Sequence, residues 1–164
     1  MRMLRVLSAA LATSVILAGC GPDAKQQATS SSPPAESAEV SSKNFGDYVI
    51  HFNAMSTDQL EPDVARAYNI ARSKSRAMLN VTILKTAKDS VGMSVAGNVE
   101  VSAANLTGQI KNLTLRQIQE GDAVYYIGDV AIANGETLIF DIDATPDNET
   151  RKLSVRFSRQ FFTD

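Results

Sequence analysis

Beyond Phe45, apolar residues recur at every second position in short stretches that are separated by turn-forming residues. This period places successive side chains on opposite faces of a β-strand, with one face buried and the other solvated. We therefore predict about seven antiparallel strands. Their apolar residues are Tyr48, Ile50 and Phe52; Ala77, Leu79, Val81 and Ile83; Val99, Val101 and Ala103; Leu113 and Leu115; Val124, Tyr126 and Val130, with Tyr125 and Ile127 on the other face; Leu138, Phe140, Ile142 and Ala144; Leu153, Val155, Phe157 and Phe161.

The stretches are separated by four turn-forming dipeptides, which are Gly97-Asn98, Gly121-Asp122, Asn134-Gly135 and Pro146-Asp147. Glycine and asparagine tolerate the positive φ of tight turns, and proline fixes the φ that a turn begins with. An Asn-Gly pair between alternating strands favours a two-residue hairpin, so Asn134-Gly135 is the strongest hairpin signal.

One segment, Glu61 to Tyr68, departs from the period of two. Pro62 and Asp63 suit the first turn of a helix. The N–H that proline lacks would have no partner within the helix there, and an acidic side chain complements the helix dipole. Asn69 tolerates the left-handed conformation that ends many helices. The residues expected on one apolar face of this short helix are Val64, Ala67 and Tyr68.

About seven strands and one short helix over residues 44–164 predict an all-β domain. We expect an immunoglobulin-like antiparallel β-sandwich. A small up-and-down barrel is the alternative, because the chain has no Trp and only one Cys, and so lacks the core markers of antibody domains.

The first twenty residues have the pattern of an export signal. Arg2 and Arg5 precede an apolar stretch that is too short to span a bilayer. The stretch ends in Leu17-Ala18-Gly19-Cys20, which resembles a bacterial lipobox. We expect residues 1–19 to be removed as a lipoprotein signal peptide and Cys20 to carry the lipid. Because Gly21 is not the Asp that favours inner-membrane retention, the resemblance implies an outer-membrane anchor facing the periplasm.

Residues 20–43 are rich in Ser, Ala, Gln and Pro, and Val40 is their only large aliphatic residue. Such a composition buries too little apolar surface to offset the entropy of ordering, so we predict a disordered tether. A flexible chain of this length spans about 25 Å on average. The expected membrane contact is therefore the lipid on Cys20, followed by a spacer and then the domain.

The charge and the few Cys and His residues exclude several classes of function. A net charge of −2 lacks the basic surface of a nucleic-acid binder. Loss of Arg2 and Arg5 from the 16 basic residues leaves 14 against 18 acidic residues, a net charge of −4. With Cys20 committed to lipid, the domain has no thiol, and His51 is its only imidazole. We predict no cofactor, no metal and no catalytic residue, and hence a protein that is not an enzyme.

Candidate binding chemistry centres on His51, which lies in the middle of a predicted strand. Without a second His or Cys, a metal site would need carboxylate or amide oxygens such as those of Asp47 or Asn53. A surface histidine with no special role is the more common outcome, so His51 is a candidate for ligand binding rather than a predicted metal ligand.

Two segments resemble a known family. They are NFGDYVIHFNA at residues 44–54 and ARAYNIARSKSRAMLN at residues 65–80, with weaker support from VYYI at 124–127 and from residues 157–162. Together they resemble domain of unknown function 4426, a small family of Gram-negative envelope proteins that are exported or lipidated. The resemblance implies no known activity. It makes His51, Asn53, Tyr68 and Arg72 candidate binding residues, since they fall within the recognisable segments.

These observations lead to two functional hypotheses. The first is a non-enzymatic binding or interaction module of the cell envelope, anchored in the outer membrane and contacting an unknown envelope protein. Its sheet edges could pair with a strand of that partner. The alternative is a small-ligand or metal-binding protein that uses the His51 region.

Overall fold

The structure is a computed structural model that describes residues 41–86 and 92–164. Those residues form ten strands, one 3-10 turn and one helix. Their bounds are β1 Ser42–Asn44, β2 Tyr48–Ser56, the 3-10 turn Thr57–Gln59, α1 Pro62–Ala67, β3 Arg76–Lys85, β4 Met93–Ser94, β5 Gly97–Asn105, β6 Ile110–Lys111, β7 Arg116–Glu120, β8 Ala123–Ala131, β9 Thr137–Pro146 and β10 Leu153–Gln160.

The strands form two antiparallel sheets. The first sheet has the order β1-β2-β3-β8-β7, and β4 pairs with the end of β3. The second sheet has the order β10-β9-β5-β6. Neither sheet closes on itself within the described residues, so the predicted all-β sandwich is confirmed and the barrel alternative is wrong.

The core lies between the sheets and contains the inward residues that the alternation predicted. Ile83 of the first sheet and Phe140 of the second are both fully buried. The ring of Phe157 lies 4.7 Å from that of Phe52 and 4.9 Å from that of Phe140, measured between centroids. This aromatic stack joins β2, β9 and β10 beside one edge of the sandwich.

A hydroxyl joins the two sheets at another point. The Tyr126 hydroxyl on β8 donates to the carbonyl oxygen of Gly97 at 2.7 Å and accepts from the Gly97 N–H at 2.8 Å. Both main-chain groups at the start of β5 thus bond to one side chain of the opposite sheet. Burial is the main cause that raises the pKa of Tyr126, while the hydrogen bond with Gly97 acts in the opposite direction.

Helix α1 covers part of the outer face of the first sheet. A second apolar cluster forms there, around Ala65 of the helix and Met78 and Ile127 of the sheet. The predicted helix and its left-handed end at Asn69, with a φ of 50°, are confirmed. The predicted apolar face is wrong for Val64 and Ala67, which are exposed, whereas Tyr68 packs against this cluster and Ala65 is the buried residue of the helix.

The predicted strand at Leu113 and Leu115 is also wrong. Both side chains pack against the core from a segment without strand pairing. The segment crosses β8, where a Cβ on Gly128 would lie only 2.6 Å from the Thr114 carbonyl oxygen. Two leucines separated by one residue thus cover the core as strand residues would, and the pattern alone does not distinguish the two arrangements.

The turn at Asn134-Gly135 forms, but it is not a hairpin. It lies between β8 and β9, which belong to different sheets. Gly121-Asp122 does close a hairpin, since β7 and β8 pair up to Glu120 and Ala123. Turns were therefore predicted correctly at both places, but the hairpin expected at Asn134-Gly135 does not form.

Strand β1 begins at Ser42, slightly before the predicted start of the domain at residue 44, and it pairs with β2. The predicted signal peptide, Cys20 and most of the predicted tether lie outside the described residues. In the described part of the chain, no helix is both long and apolar enough to cross a membrane.

Candidate functional site: the open edge of the sandwich

Among the described residues, one edge of the first sheet is covered over only part of its length. Strand β1 pairs with β2 at residues 49–51, and the Phe52 N–H then donates to the Ser41 carbonyl oxygen at 2.9 Å. Past Phe52, the described residues add no further strand on this side of β2. The edge strand β10 of the second sheet lies alongside, since Phe157 packs on Phe52.

A surface groove runs along this edge, and we call it the edge groove. It consists of two adjoining cavities of about 190 and 260 Å³. Its walls are residues 52–56 of β2 with Gln59 on one side and residues 157–162 on the other, and Ser41 lies at one end. At the opposite end, Phe162 is 66% exposed, a high value for an aromatic residue.

A second depression, which we call the polar cleft, opens on the outer face of the first sheet. It encloses about 370 Å³ and joins the edge groove at Asn53 and Arg159. Its floor holds two cross-strand pairs from β2 and β3, which are His51 with Thr82 and Asn53 with Asn80. Apart from Phe52, its lining side chains all have hydrogen-bonding groups.

Asn80 is the least satisfied of these polar residues. Its Oδ1 atom is buried and has no hydrogen-bond partner among the described residues. A buried acceptor without a donor costs about 1–3 kcal/mol, so native proteins rarely leave one in place without a role. A donor that enters the polar cleft could satisfy it.

Arg159 joins the two depressions and carries the only permanent charge among their lining residues. Its Nε donates to the Ala54 carbonyl oxygen at 2.9 Å. Its Nη2 lies 3.4 Å from Asn53 Oδ1. A side chain of the last strand thereby bonds to the main chain at the open edge of β2.

The structure brings together two of the five candidate binding residues. His51 and Asn53 are exposed on the same face of β2 and line the polar cleft. Asp47 lies in the turn between β1 and β2, where its carbonyl oxygen accepts from the Thr86 N–H at 2.8 Å. It does not line the polar cleft, and neither do Tyr68 and Arg72.

Tyr68 and Arg72 make contacts within the fold that give each of them a structural role. Tyr68 follows α1 and packs against the second apolar cluster, and its carbonyl oxygen accepts a hydrogen bond from Arg116. Burial raises the pKa of Tyr68, and a hydrogen bond with Glu120 raises it further. Arg72 donates to the Asp58 carbonyl oxygen at 2.6 Å, which joins the 3-10 turn to the segment after the helix.

Three lining residues, Asn80, Thr82 and Arg159, were not predicted from the sequence as members of the site. A signal for Arg159 was present, because it continues the inward series Leu153, Val155, Phe157 with a charged residue. An inward-pointing charge on a strand is a known way to protect a sheet edge. For Asn80 and Thr82 no comparable signal exists, since polar residues at outward positions are the normal pattern. No group of three or more His, Cys, Asp or Glu residues that could hold a metal occurs in residues 41–86 and 92–164.

The fold and the open edge define an all-β sandwich with a groove between its sheets. A family model described as Domain of unknown function (DUF4426) matches residues 42–164, and the chain belongs to this family. The resemblance seen in the sequence is thereby confirmed. No protein with a curated description matches the chain.

Two solved structures are similar to the chain. A DUF4426 family protein from Pseudomonas aeruginosa PAO1 is 31% identical, with a TM-score of 0.64 over 75% of this chain and 94% of that one. FetP of uropathogenic Escherichia coli strain F11, expressed recombinantly in the periplasm of E. coli BL21(DE3), is 12% identical, with a TM-score of 0.52 over 74% of this chain and 92% of that one. At that identity the likeness to FetP extends to the fold alone.

Proposed function

We propose that the protein is a lipid-anchored binding module of the bacterial cell envelope, held in the outer membrane by Cys20 and facing the periplasm. It contacts another envelope component without catalysing a reaction. The observation that carries the binding role is the edge groove, which combines a strand edge that no described strand covers past Phe52, the charged side chain of Arg159 and the exposed ring of Phe162. Clustered features of this kind are typical of recognition surfaces.

The anchor is supported by the order of the N-terminal signals, a basic start, an apolar stretch and the Leu17-Ala18-Gly19-Cys20 motif. A lipid anchor confines the domain to a thin layer at the membrane, which raises its concentration near membrane partners. Palmitate labelling with fractionation tests this part. We expect label in the outer-membrane fraction for the natural chain and none for Cys20→Ala, and label that survives this change would refute the anchor.

The binding role is tested in cells by photo-crosslinking, with the cross-linking residue placed in turn on each exposed face of the domain and adducts read by mass spectrometry. We expect a reproducible partner at positions of one face. If many positions on every face yield no reproducible partner, the binding role is refuted.

A second candidate function is favoured by one observation, the unpartnered Oδ1 atom of Asn80 in the polar cleft. A small ligand with a donor for that atom would lie against His51 and Thr82. Native mass spectrometry of the protein taken from its own periplasm tests this function. We expect a stoichiometric added mass that His51→Ala and Asn80→Ala remove, and an added mass that both variants retain would contradict it.

A further inference from the structure

We propose that one end of the sandwich docks on the phospholipid surface of the membrane that holds the anchor, with Leu106, Ile110 and Phe162 inserted among the lipid head groups. This inference rests on the lipid anchor proposed above and adds the orientation of the domain at the membrane. It is carried by the exposed apolar side chains of that end, by the charges of the two ends and by the direction in which β1 enters the fold.

Three segments meet around Glu136 at one end of the sandwich, and together we call them the apolar end. They are residues 105–110, 133–136 and 161–164. The Glu136 carbonyl oxygen accepts from the Phe161 N–H at 2.9 Å, and the Glu136 carboxylate accepts from Asn105 Nδ2 at 3.3 Å. The same carboxylate lies 2.6 Å from Lys111 Nζ, just after the first segment. These bonds hold the three segments in place relative to one another.

The apolar end gathers most of the exposed large apolar side chains of the described residues. Leu106 is 72% exposed and Ile110 is 80% exposed, and Phe162 lies at the margin where the edge groove ends. The other two such residues are Val64 on α1 and Met93 at the opposite end of the sandwich. Grouped exposed apolar side chains mark contact surfaces for membranes or proteins, and their transfer from water into lipid is favourable.

The charges of the two ends favour the same orientation. Both acidic side chains of the apolar end are bonded, Glu136 to Lys111 and Asp164 to Asn134. Within residues 41–86 and 92–164, the turns of the opposite end expose more acidic than basic side chains. They are Asp47, Asp122, Asp147 and Glu149 against Lys85 and Arg151. Anionic phospholipids repel an acidic surface, so the opposite end is the one that faces away from the membrane.

Strand β1 enters the fold from the side of the apolar end. It begins at Ser42, opposite His51, and runs antiparallel to β2, so its first residue is the one nearest to the last residue of β2. That last residue, Ser56, lines the edge groove together with Phe162. The predicted tether from Cys20 spans about 25 Å on average, which keeps the domain close to the bilayer. A membrane is therefore the surface that the apolar end meets at the highest local concentration.

The test uses the mature lipidated chain, purified from its own membranes and reconstituted into vesicles of phosphatidylethanolamine and phosphatidylglycerol. Because Cys20 is the only Cys of the chain, a second Cys can carry a fluorophore at one chosen position. Ala133→Cys labels the apolar end, and Thr150→Cys labels the opposite end as the matched control, since both residues are exposed. A phospholipid with a quencher in its head-group region then reports which end touches the bilayer.

Variants separate the apolar side chains from the tether. Leu106→Asp combined with Ile110→Asp replaces the two most exposed apolar residues of the apolar end. Met93→Asp is the matched control, because it makes the same kind of change at an exposed position of the opposite end. The thermal midpoint of each variant shows whether folding is retained, and the comparison of the two labelled positions needs neither variant.

We expect quenching at Ala133 to be about threefold or more that at Thr150, since only the apolar end enters the head groups. The double variant should lower it to the level of Thr150, and Met93→Asp should leave it unchanged. Equal quenching at the two positions, or quenching that the folded double variant retains, would overturn this proposal and leave the lipid anchor standing.

Two other results would also overturn the proposal. A fluorophore at Ala133 that responds to protein density but not to the quenching lipid would assign the apolar end to a second copy of the chain. A natural chain that fails to float with the vesicles would refute the lipid anchor and this orientation together.

Discussion

Replacing Tyr126 by phenylalanine removes a single oxygen atom at the point where the two sheets are joined. That oxygen donates to and accepts from the main chain of Gly97, at 2.7 and 2.8 Å. Both Gly97 groups lose their partner, and each loss costs about 1 kcal/mol net and more where water has poor access. Gly97 has little room to move, since a Cβ built there would lie 2.4 Å from the Thr145 carbonyl oxygen. We therefore expect a loss of about 2–3 kcal/mol in the free energy of unfolding.

Urea denaturation of the purified protein measures this loss, and a thermal scan should show a midpoint lowered by roughly 6–12 °C. Tyr125→Phe is the matched control, because the neighbouring ring faces the outer side of the same strand. We expect the control to change the free energy by about 0.5 kcal/mol or less. If Tyr126→Phe is no more destabilising than Tyr125→Phe, the hydroxyl does not join the sheets as described.

Three further predictions concern the core and its supports. Phe140→Ala removes a fully buried ring and should lower the free energy of unfolding by about 3–5 kcal/mol, measured by urea denaturation. A loss below about 1 kcal/mol would contradict the packing of this ring. Burial raises the pKa of Glu136, but hydrogen bonds led by that from Lys111 hold it below the usual 4.5. The charged form therefore stabilises the fold above about pH 4.5, and this contribution is lost as the pH falls through the lowered pKa. Glu136→Gln should flatten that part of the acid unfolding curve, and an unchanged curve would contradict it. Gly128→Ala should cost about 1–3 kcal/mol, because its Cβ would meet the Thr114 carbonyl oxygen at 2.6 Å; an unchanged thermal midpoint would contradict this crossing.

The parts of the fold that sequence predicted are those where one strand face is buried. β9 alternates along its whole length and β3 alternates from Leu79 onward, and the inward residues Leu79 and Leu138 are fully buried. The shortest strands escaped prediction, because β4 and β6 have two residues each and a period of two needs more. Strand β7 also escaped, since it is an edge strand with one apolar residue, Ile118.

Pairing between distant strands is the part that local pattern does not contain. Asn134-Gly135 makes a tight turn with a positive φ at Gly135, but the chain then passes from one sheet to the other. A turn signal reports the local backbone and carries no information on which strands become neighbours. The same limit explains the wrong prediction at Leu113 and Leu115. Their spacing suits a strand, but their segment crosses β8 without pairing with it.

The candidate site was predicted in part for the same reason. His51 was chosen because it is the only imidazole of the domain, and Asn53 because it offers a nearby amide oxygen within the segment that resembles the family. Arg159 belongs to the opposite sheet, more than a hundred residues away in sequence, and meets them only through the packing of β10 beside β2. Sites assembled at a sheet edge from distant strands require the topology before their members can be chosen.

The central proposal is that a lipid anchor and its tether bring the domain to an envelope partner. The most direct test compares the yield in cells of the photo-crosslinked partner adduct between the natural chain and a form in which a cleavable secretory leader replaces residues 1–20. We expect the yield to fall about tenfold or more in the untethered form at equal protein abundance, because the tether supplies the local concentration. An equal yield from the two forms would contradict the account.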